Sequence, residues 1–126
     1  MPVCLIEGLK VSMIAAQAFT LAWTHTVEKT GWEEDWRLQP ATGMLVLQTA
    51  RIKGSGAGME PPDDARLVNG WWQYHPKDIR LREMHLANSG GQAGAWRICA
   101  QGACRALPSG PGSAAEYEIR PCDAPP

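Results

Sequence analysis

Two neighbouring segments alternate between apolar and polar residues, and each carries one ionisable residue on its apolar face. In residues 19–27 that residue is His25, and in residues 31–38 it is Glu34. Alternation with a period of two is typical of a β-strand that is buried on one side. Burial of an ionisable group costs free energy unless it finds a partner. The other residues of the two faces are Phe19, Leu21, Trp23, Val27, Trp32, Trp36 and Leu38.

The two segments predict a β-hairpin whose register follows from these faces. The faces coincide only when paired positions have one odd and one even number, because a slip by one residue would turn Asp35 and Arg37 inward. The shortest such hairpin turns at residues 28–31 and places His25 opposite Glu34. Directly opposed side chains are close enough for an imidazole–carboxylate hydrogen bond, so we predict this contact.

Three interpretations of the pair remain open. It is a structural pair in a tryptophan-rich core, or a ligand or acid–base site, or the register differs and the residues do not meet. An enzyme, such as a small hydrolase or isomerase, would use His25 as the base and Glu34 to orient it. It would also need a nucleophile, an oxyanion stabiliser or a metal at the same place. The sequence favours a protein that is not an enzyme.

The rest of the chain is typical of an all-β protein. Short apolar or alternating runs are separated by clusters of turn residues, and no segment keeps a helical period over three turns. We expect one all-β domain over residues 1–122, an antiparallel sandwich or small barrel, and a disordered tail at 123–126. The predicted strands lie near residues 2–6, 9–15, 18–27, 32–39, 43–52, 70–75, 81–87, 95–100, 103–107 and 116–121.

A glycine-rich loop is the second candidate site. Gly54, Gly56 and Gly58 alternate along it, and their backbone N–H groups can form a concavity that holds an anion. Arg51 and Lys53, on the strand that enters the loop, would add positive charge. The prolines that follow argue against the helix of a nucleotide-binding loop. The alternatives are therefore a small-anion site and a plain connection over the core.

Two adjacent tryptophans, Trp71 and Trp72, must face opposite sides of a strand. One enters the core, and the other is exposed, covered by a loop or part of a contact surface. Tryptophan is enriched where interfaces concentrate binding energy. We predict a binding surface made of the His25/Glu34 hairpin, the Gly54–Gly58 loop and one of these tryptophans.

Four cysteines leave the redox state open. Cys99 and Cys104 flank a predicted turn at residues 101–102, so a cross-strand disulfide is geometrically possible. Cys4 and Cys122 would meet if the first and last strands are neighbours. In a cytosolic chain free thiols are the more common state. The spacing lacks the paired C-x2-C knuckles of a zinc site, and we predict no metal and no cofactor.

Charge and hydropathy limit the partners and the location. The net charge is −1 with both signs interspersed, so we expect no nucleic-acid partner. No apolar run approaches the roughly 18–20 residues of a membrane span, so we expect no membrane span. The N-terminal segment lacks the basic region of a signal peptide, which favours a cytoplasmic location. A start further upstream would instead indicate a periplasmic or membrane-associated protein.

Three segments together resemble one family of small bacterial proteins of unknown function. They are Trp-Thr-His-Thr-Val-Glu at 23–28, Trp-Glu-Glu-Asp-Trp at 32–36 and Lys-Gly-Ser-Gly-Ala-Gly-Met-Glu-Pro at 53–61. The resemblance covers roughly residues 18–107, with Thr26 where we expect serine. Genes of this family often lie beside those of TAXI-type TRAP transporters. The resemblance implies an accessory to solute uptake, with a transporter component as partner, and carries over no catalytic residues.

The sequence therefore predicts a non-catalytic β domain that binds a small ligand or a protein partner. An anion at the glycine loop and a transporter component are the two partners it favours. One alternative is the small hydrolase or isomerase that uses His25 and Glu34. A further alternative is a structural interaction module in which this pair only stabilises the core.

Overall fold

The computed structural model describes residues 2–14, 16–24, 31–53, 62–87, 96–108 and 116–122. Within these ranges the chain forms strands and no helix, so none is present there that could cross a membrane. The strands are β1 (Val3–Glu7), β2 (Lys10–Ile14), β3 (Ala18–Thr24), β4 (Gly31–Gln39), β5 (Met44–Lys53), β6 (Arg66–Val68), β7 (Trp71–Tyr74), β8 (Arg80–Leu81), β9 (Met84–Ala87), β10 (Arg97–Ala100), β11 (Ala103–Ala106) and β12 (Glu116–Pro121).

The strands form two antiparallel sheets. The smaller sheet has the order β2-β1-β12-β9, and the larger has the order β11-β10-β3-β4-β5-β7-β6, with β8 paired to β5. The sheets pack face to face and, over the described residues, do not close into a barrel. The predicted all-β antiparallel sandwich is confirmed, and the barrel alternative is wrong.

The core lies between the inner faces of the two sheets. Alternate residues of the central strands enter it because successive side chains point to opposite faces, whereas β6, β8 and β11 contain no buried residue. In β1, for example, Val3 and Leu5 are 0% and 1% exposed. The remaining buried members of this cluster are Phe19, Leu21, Trp36, Leu38, Leu45, Leu47, Met84, Leu86, Ile98, Leu107, Tyr117 and Ile119.

The pairing of β3 with β4 follows the predicted parity but not the predicted register. Trp23 lies opposite Trp32, and Leu21 lies opposite Glu34. The predicted position of His25 opposite Glu34 is therefore wrong by four residues along β3. A slip of four keeps every side chain on its face, so the hydrophobic pattern does not distinguish the two registers. His25 itself lies outside the described residues.

The predicted strand at 81–87 is in fact two strands in different sheets. Arg80–Leu81 pairs with β5 in the larger sheet, whereas Met84–Ala87 pairs with β12 in the smaller sheet. The sequence analysis also missed β6, which has only three residues. It is joined to β7 through Asn69 and Gly70, with φ angles of 51° and 86°, as in a two-residue hairpin turn.

Two disulfides join neighbouring strands. Cys99 and Cys104 are directly opposite across the β10–β11 hairpin, and their sulfurs are 2.05 Å apart. Cys4 on β1 is bonded to Cys122, which follows β12, because β1 and β12 are neighbours. Both pairs that were named as possible are therefore bonded, and the alternative of free thiols does not hold for these four cysteines.

Candidate ligand-binding site

Strand register brings a set of aromatic and acidic side chains together on the inner face of the larger sheet, around the second half of β5. Register places Trp32 and Trp72 on either side of Ile52. In the next row, Glu34 and Tyr74 lie on either side of Ala50. Large side chains on β4 and β7 thus flank smaller ones on β5. We call this feature the β5 groove, and its residues are Trp32, Glu34, Ala50, Ile52, Trp72 and Tyr74.

The floor of the β5 groove is buried while its walls remain accessible. Ala50 and Ile52 are 3% and 6% exposed. The wall residues on β4 and β7 are all partly exposed. Neighbouring strands are about 4.8 Å apart, so the two wall strands are separated by roughly 10 Å. Small buried side chains between larger, partly exposed aromatic ones make this region the candidate ligand site.

Stacked tryptophans fix the position of Trp32. Trp23 on β3 stacks on it with ring centroids 5.8 Å apart and planes 7° apart. Trp96 packs on Trp23 at 4.9 Å, with the planes tilted by 56°. Trp96 Nε1 also donates a hydrogen bond of 3.0 Å to the carbonyl of Ala87, at the end of β9. These contacts connect Trp32 to both sheets.

The indole N–H of Trp32 is buried and has no hydrogen-bond partner among the residues that the structure describes. A buried donor without an acceptor costs about 1–3 kcal/mol. Such groups are rare in native structures and need a specific explanation. Trp96 and Trp36, by contrast, both donate from their Nε1 atoms. Among the described residues, Trp32 Nε1 is therefore a buried donor that a hydrogen-bond acceptor would stabilise.

Glu34 brings a partly buried carboxylate to the same groove. Burial raises the pKa of Glu34, and the hydrogen bond of 3.1 Å that Trp36 Nε1 donates to it opposes this shift. Burial also raises the pKa of Tyr74, and the negative charges of Glu34 and Asp64 raise it further. Within the described ranges, the Glu34 carboxylate has no basic side chain as an ion-pair partner.

The predicted basic residues lie on the opposite face of the sheet. Arg51 is paired in register with Glu33, and its guanidinium forms ion pairs with Glu33 and Asp35 at 2.8 and 2.6 Å. Lys53 Nζ lies 5.6 Å from the ring centroid of Trp71. This outer face is therefore occupied by interactions within the protein.

The structure accordingly separates the residues that the sequence analysis had placed in one site. Glu34 and Trp72 line the β5 groove, whereas Arg51, Lys53 and Trp71 lie on the outer face. The opposite orientation of Trp71 and Trp72 is as predicted. The remaining predicted residues fall outside the described part of the chain, and they are His25, Gly54, Gly56 and Gly58.

The sequence analysis did not assign the groove residues Ala50, Ile52 and Tyr74 to the site. Trp72 and Tyr74 alternate, as do Ala50 and Ile52, so each pair was recognisable as one face of a strand. What was missing is the strand order, because the groove exists only when β5 lies between β4 and β7.

A separate polar group lies on the outer face of the smaller sheet. Glu83, His85 and Glu118 each offer one ligand atom, and these atoms lie within 4.8 Å of one another. His85 Nδ1 is hydrogen-bonded to Glu116, and this contact raises the pKa of His85. The side chains of Glu83, His85 and Glu116 are about half exposed, whereas that of Glu118 is 21% exposed, so solvent screens most of their interactions.

The fold and the groove define an all-β sandwich with a candidate ligand site on its larger sheet. A family model described as "Domain of unknown function (DUF1850)" matches residues 19–107, and the chain belongs to this family. The match includes the whole β5 groove, and it confirms the predicted resemblance to a family of unknown function. No curated protein and no solved structure matches the chain.

Proposed function

We propose that the protein is a non-catalytic domain that binds a small ligand in the β5 groove. The observation that carries this proposal is the buried indole N–H of Trp32, which has no acceptor in the described structure. A ligand oxygen at this position would supply the missing hydrogen bond. The aromatic walls of Trp32 and Trp72 would contribute apolar contact, and Glu34 would fix the orientation of the ligand.

The alternative of a hydrolase or isomerase has less support. This alternative requires His25 to contact Glu34, but Leu21 lies opposite Glu34. Among the described residues, Trp36 is the only side chain that donates a hydrogen bond to the Glu34 carboxylate. Glu34 therefore has the surroundings of a ligand-orienting carboxylate more than those of one member of an acid–base pair.

Two disulfides support a location in an oxidising compartment such as the periplasm, because cytosolic thiols are normally kept reduced. This location agrees with the second candidate role, an accessory to a TRAP-type solute transporter, which the family resemblance implies. In that role the ligand of the β5 groove would be a transported solute or part of a transporter component.

The proposal is tested by NMR of the protein with ¹⁵N-labelled tryptophan. Trp32→Phe assigns the Trp32 indole signal, and a library of carboxylates, phosphates, amines and neutral polar metabolites is then added to the wild type. We expect one ligand class to shift the Trp32 signal and Trp32→Phe to bind it at least tenfold more weakly.

The matched control is Trp71→Phe, because Trp71 lies on the outer face of the same sheet. It should bind the ligand as the wild type does. A library in which no compound shifts the Trp32 indole, or a ligand that Trp71→Phe weakens as much as Trp32→Phe, would overturn the proposal.

A further inference from the structure

We infer that the ligand of the β5 groove is a small organic cation that also carries a hydrogen-bond acceptor. A quaternary ammonium group with an oxygen a few bonds away has this chemistry. The inference rests on the proposed function, and it adds the class of ligand. It differs from the small anion that the glycine loop suggested.

The charge of the groove selects against a simple anion. Glu34 lies in the wall, and the charges of Glu34 and Asp64 both act on Tyr74 in the opposite wall. The basic residues of the described strands β4, β5, β6 and β7 all lie in register positions of the outer face, and they are Arg37, Arg51, Lys53 and Arg66. An anion in the groove would therefore meet uncompensated negative charge, whereas a cation would neutralise it.

The aromatic walls favour the same class of ligand. Indole rings attract cations through their negative faces, and tryptophan is the strongest of the aromatic side chains in this respect. Trp32 and Trp72 are separated by the smaller Ile52, so two indoles border the space above one residue. Aromatic walls combined with a carboxylate are the usual way in which proteins recognise quaternary ammonium groups.

The acceptor follows from Trp32. Its Nε1 is a donor only, so a cation without an oxygen would leave it without a partner. Choline, a cation, places a hydroxyl oxygen next to its ammonium group, and glycine betaine, a zwitterion, places a carboxylate oxygen there. One molecule of this kind satisfies Trp32 Nε1 and Glu34 together.

The test compares each cation with a probe of the same shape in which carbon replaces nitrogen. The pairs are choline with 3,3-dimethylbutanol and glycine betaine with 3,3-dimethylbutanoate. The Trp32 indole signal is followed during each titration. We expect choline or glycine betaine to bind at least about tenfold more tightly than its carbon analogue.

Variants separate the two contacts. Glu34→Gln should weaken the cation by about tenfold and leave the carbon analogue unchanged, because the glutamine oxygen can still accept from Trp36. Trp32→Phe should weaken choline more than tetramethylammonium, which has no acceptor. Trp71→Phe should not change the affinity for choline or for tetramethylammonium. Circular dichroism and the thermal midpoint of each variant show that it is folded.

The failure of this inference differs from the failure of the proposed function. Equal binding of a cation and its carbon analogue, or equal binding of choline to the wild type and Glu34→Gln, would overturn the inference. A carboxylate or phosphate without an ammonium group that shifts the Trp32 signal, while choline and glycine betaine do not, would also overturn it, although the groove would still be a ligand site. If no compound of any class shifts this signal, both proposals fail.

Discussion

Arg51 donates hydrogen bonds to both carboxylate oxygens of Asp35, from Nη1 at 2.7 Å and from Nη2 at 2.6 Å. Thr20 Oγ1 donates to the same carboxylate at 2.7 Å, and Arg51 Nε donates to Glu33 at 2.8 Å. This outer-face network joins β3, β4 and β5. It therefore holds the strands that carry one wall and the floor of the β5 groove.

Asp35→Asn should destabilise the protein in a pH-dependent way. Burial raises the pKa of Asp35, but hydrogen bonds from Arg51 and Thr20 outweigh this effect and leave the pKa below its usual value. A lowered folded-state pKa stabilises the fold above the unfolded-state pKa, and this stabilisation is lost as the pH falls through the folded-state pKa.

We expect Asp35→Asn to lower the free energy of unfolding at pH 7 by about 1–2 kcal/mol, a value reduced because both partners are partly exposed. The difference from the wild type should narrow in acid. Urea denaturation at pH 7 and pH 3 measures it, and Asp63→Asn in an exposed turn is the control. An equal loss at both pH values would indicate a steric cause instead.

Glu34→Gln should have the opposite effect on stability. Burial raises the pKa of Glu34. A raised folded-state pKa means that stability is greatest below the unfolded-state pKa and is lost as the pH rises through the folded-state pKa. Glutamine does not ionise, so Glu34→Gln does not lose stability as the pH rises. Its melting temperature at pH 7 should therefore be higher than that of the wild type.

At pH 4 the wild type and Glu34→Gln should melt at similar temperatures. Thermal melts at the two pH values give the comparison, with Asp63→Asn in an exposed turn as the control. A buried pair of Glu34 with His25, as the sequence analysis predicted, would instead make Glu34→Gln less stable by roughly 1–3 kcal/mol. The sign of the change therefore decides between the two arrangements.

The two disulfides should differ in their contribution to stability. Cys4 and Cys122 close a loop with a sequence separation of 118, whereas Cys99 and Cys104 are separated by 5. The loss of chain entropy in the unfolded state grows with loop length, and it corresponds to about 5 kcal/mol for the first bridge and about 2 kcal/mol for the second.

Double serine variants of each pair test this order by guanidinium denaturation without reductant. The pair Cys4→Ser and Cys122→Ser should lower the free energy of unfolding more than the pair Cys99→Ser and Cys104→Ser. Addition of dithiothreitol to the wild type should lower its melting temperature. The control is the variant with all four cysteines changed to serine, which has no disulfide to reduce. If dithiothreitol does not change the melting temperature of the wild type, the disulfides do not stabilise the fold.

The hydrophobic pattern determined the class of fold and which residues share a face. Trp71 and Trp72 face opposite sides as predicted, and β3 pairs with β4 in the predicted parity. Both results follow from the period of two, because a change of parity would bury charged residues such as Asp35.

The same pattern contains no information on the length of a connection or on the order of strands. Any even slip between β3 and β4 preserves the faces, so the predicted register of these strands depended on an assumed short turn, and the residue opposite Glu34 is Leu21. The β5 groove requires β7 to lie beside β5, and this long-range pairing has no local signal in the sequence. The candidate site was therefore only partly predictable, through Glu34 and Trp72.

Trp32→Phe should separate ligand binding from stability. Phenylalanine keeps an aromatic ring beside Trp23 and removes an indole N–H that is buried without an acceptor. The smaller ring packs less well, which lowers stability, but loss of the unpaired N–H removes a penalty of about 1–3 kcal/mol, which raises it. The free energy of unfolding should therefore change little or rise.

The matched variant is Trp36→Phe, because Trp36 is buried in the core and its Nε1 donates to Glu34. It should lose about 2–4 kcal/mol through the cavity and the broken hydrogen bond. Denaturant unfolding of both variants gives the comparison. A loss in Trp32→Phe as large as the loss in Trp36→Phe would count against an unpartnered donor at Trp32, which is the observation that supports the ligand site. If Trp32→Phe is folded and as stable as the wild type but no longer binds the ligand, the indole N–H of Trp32 contributes to ligand binding and not to folding.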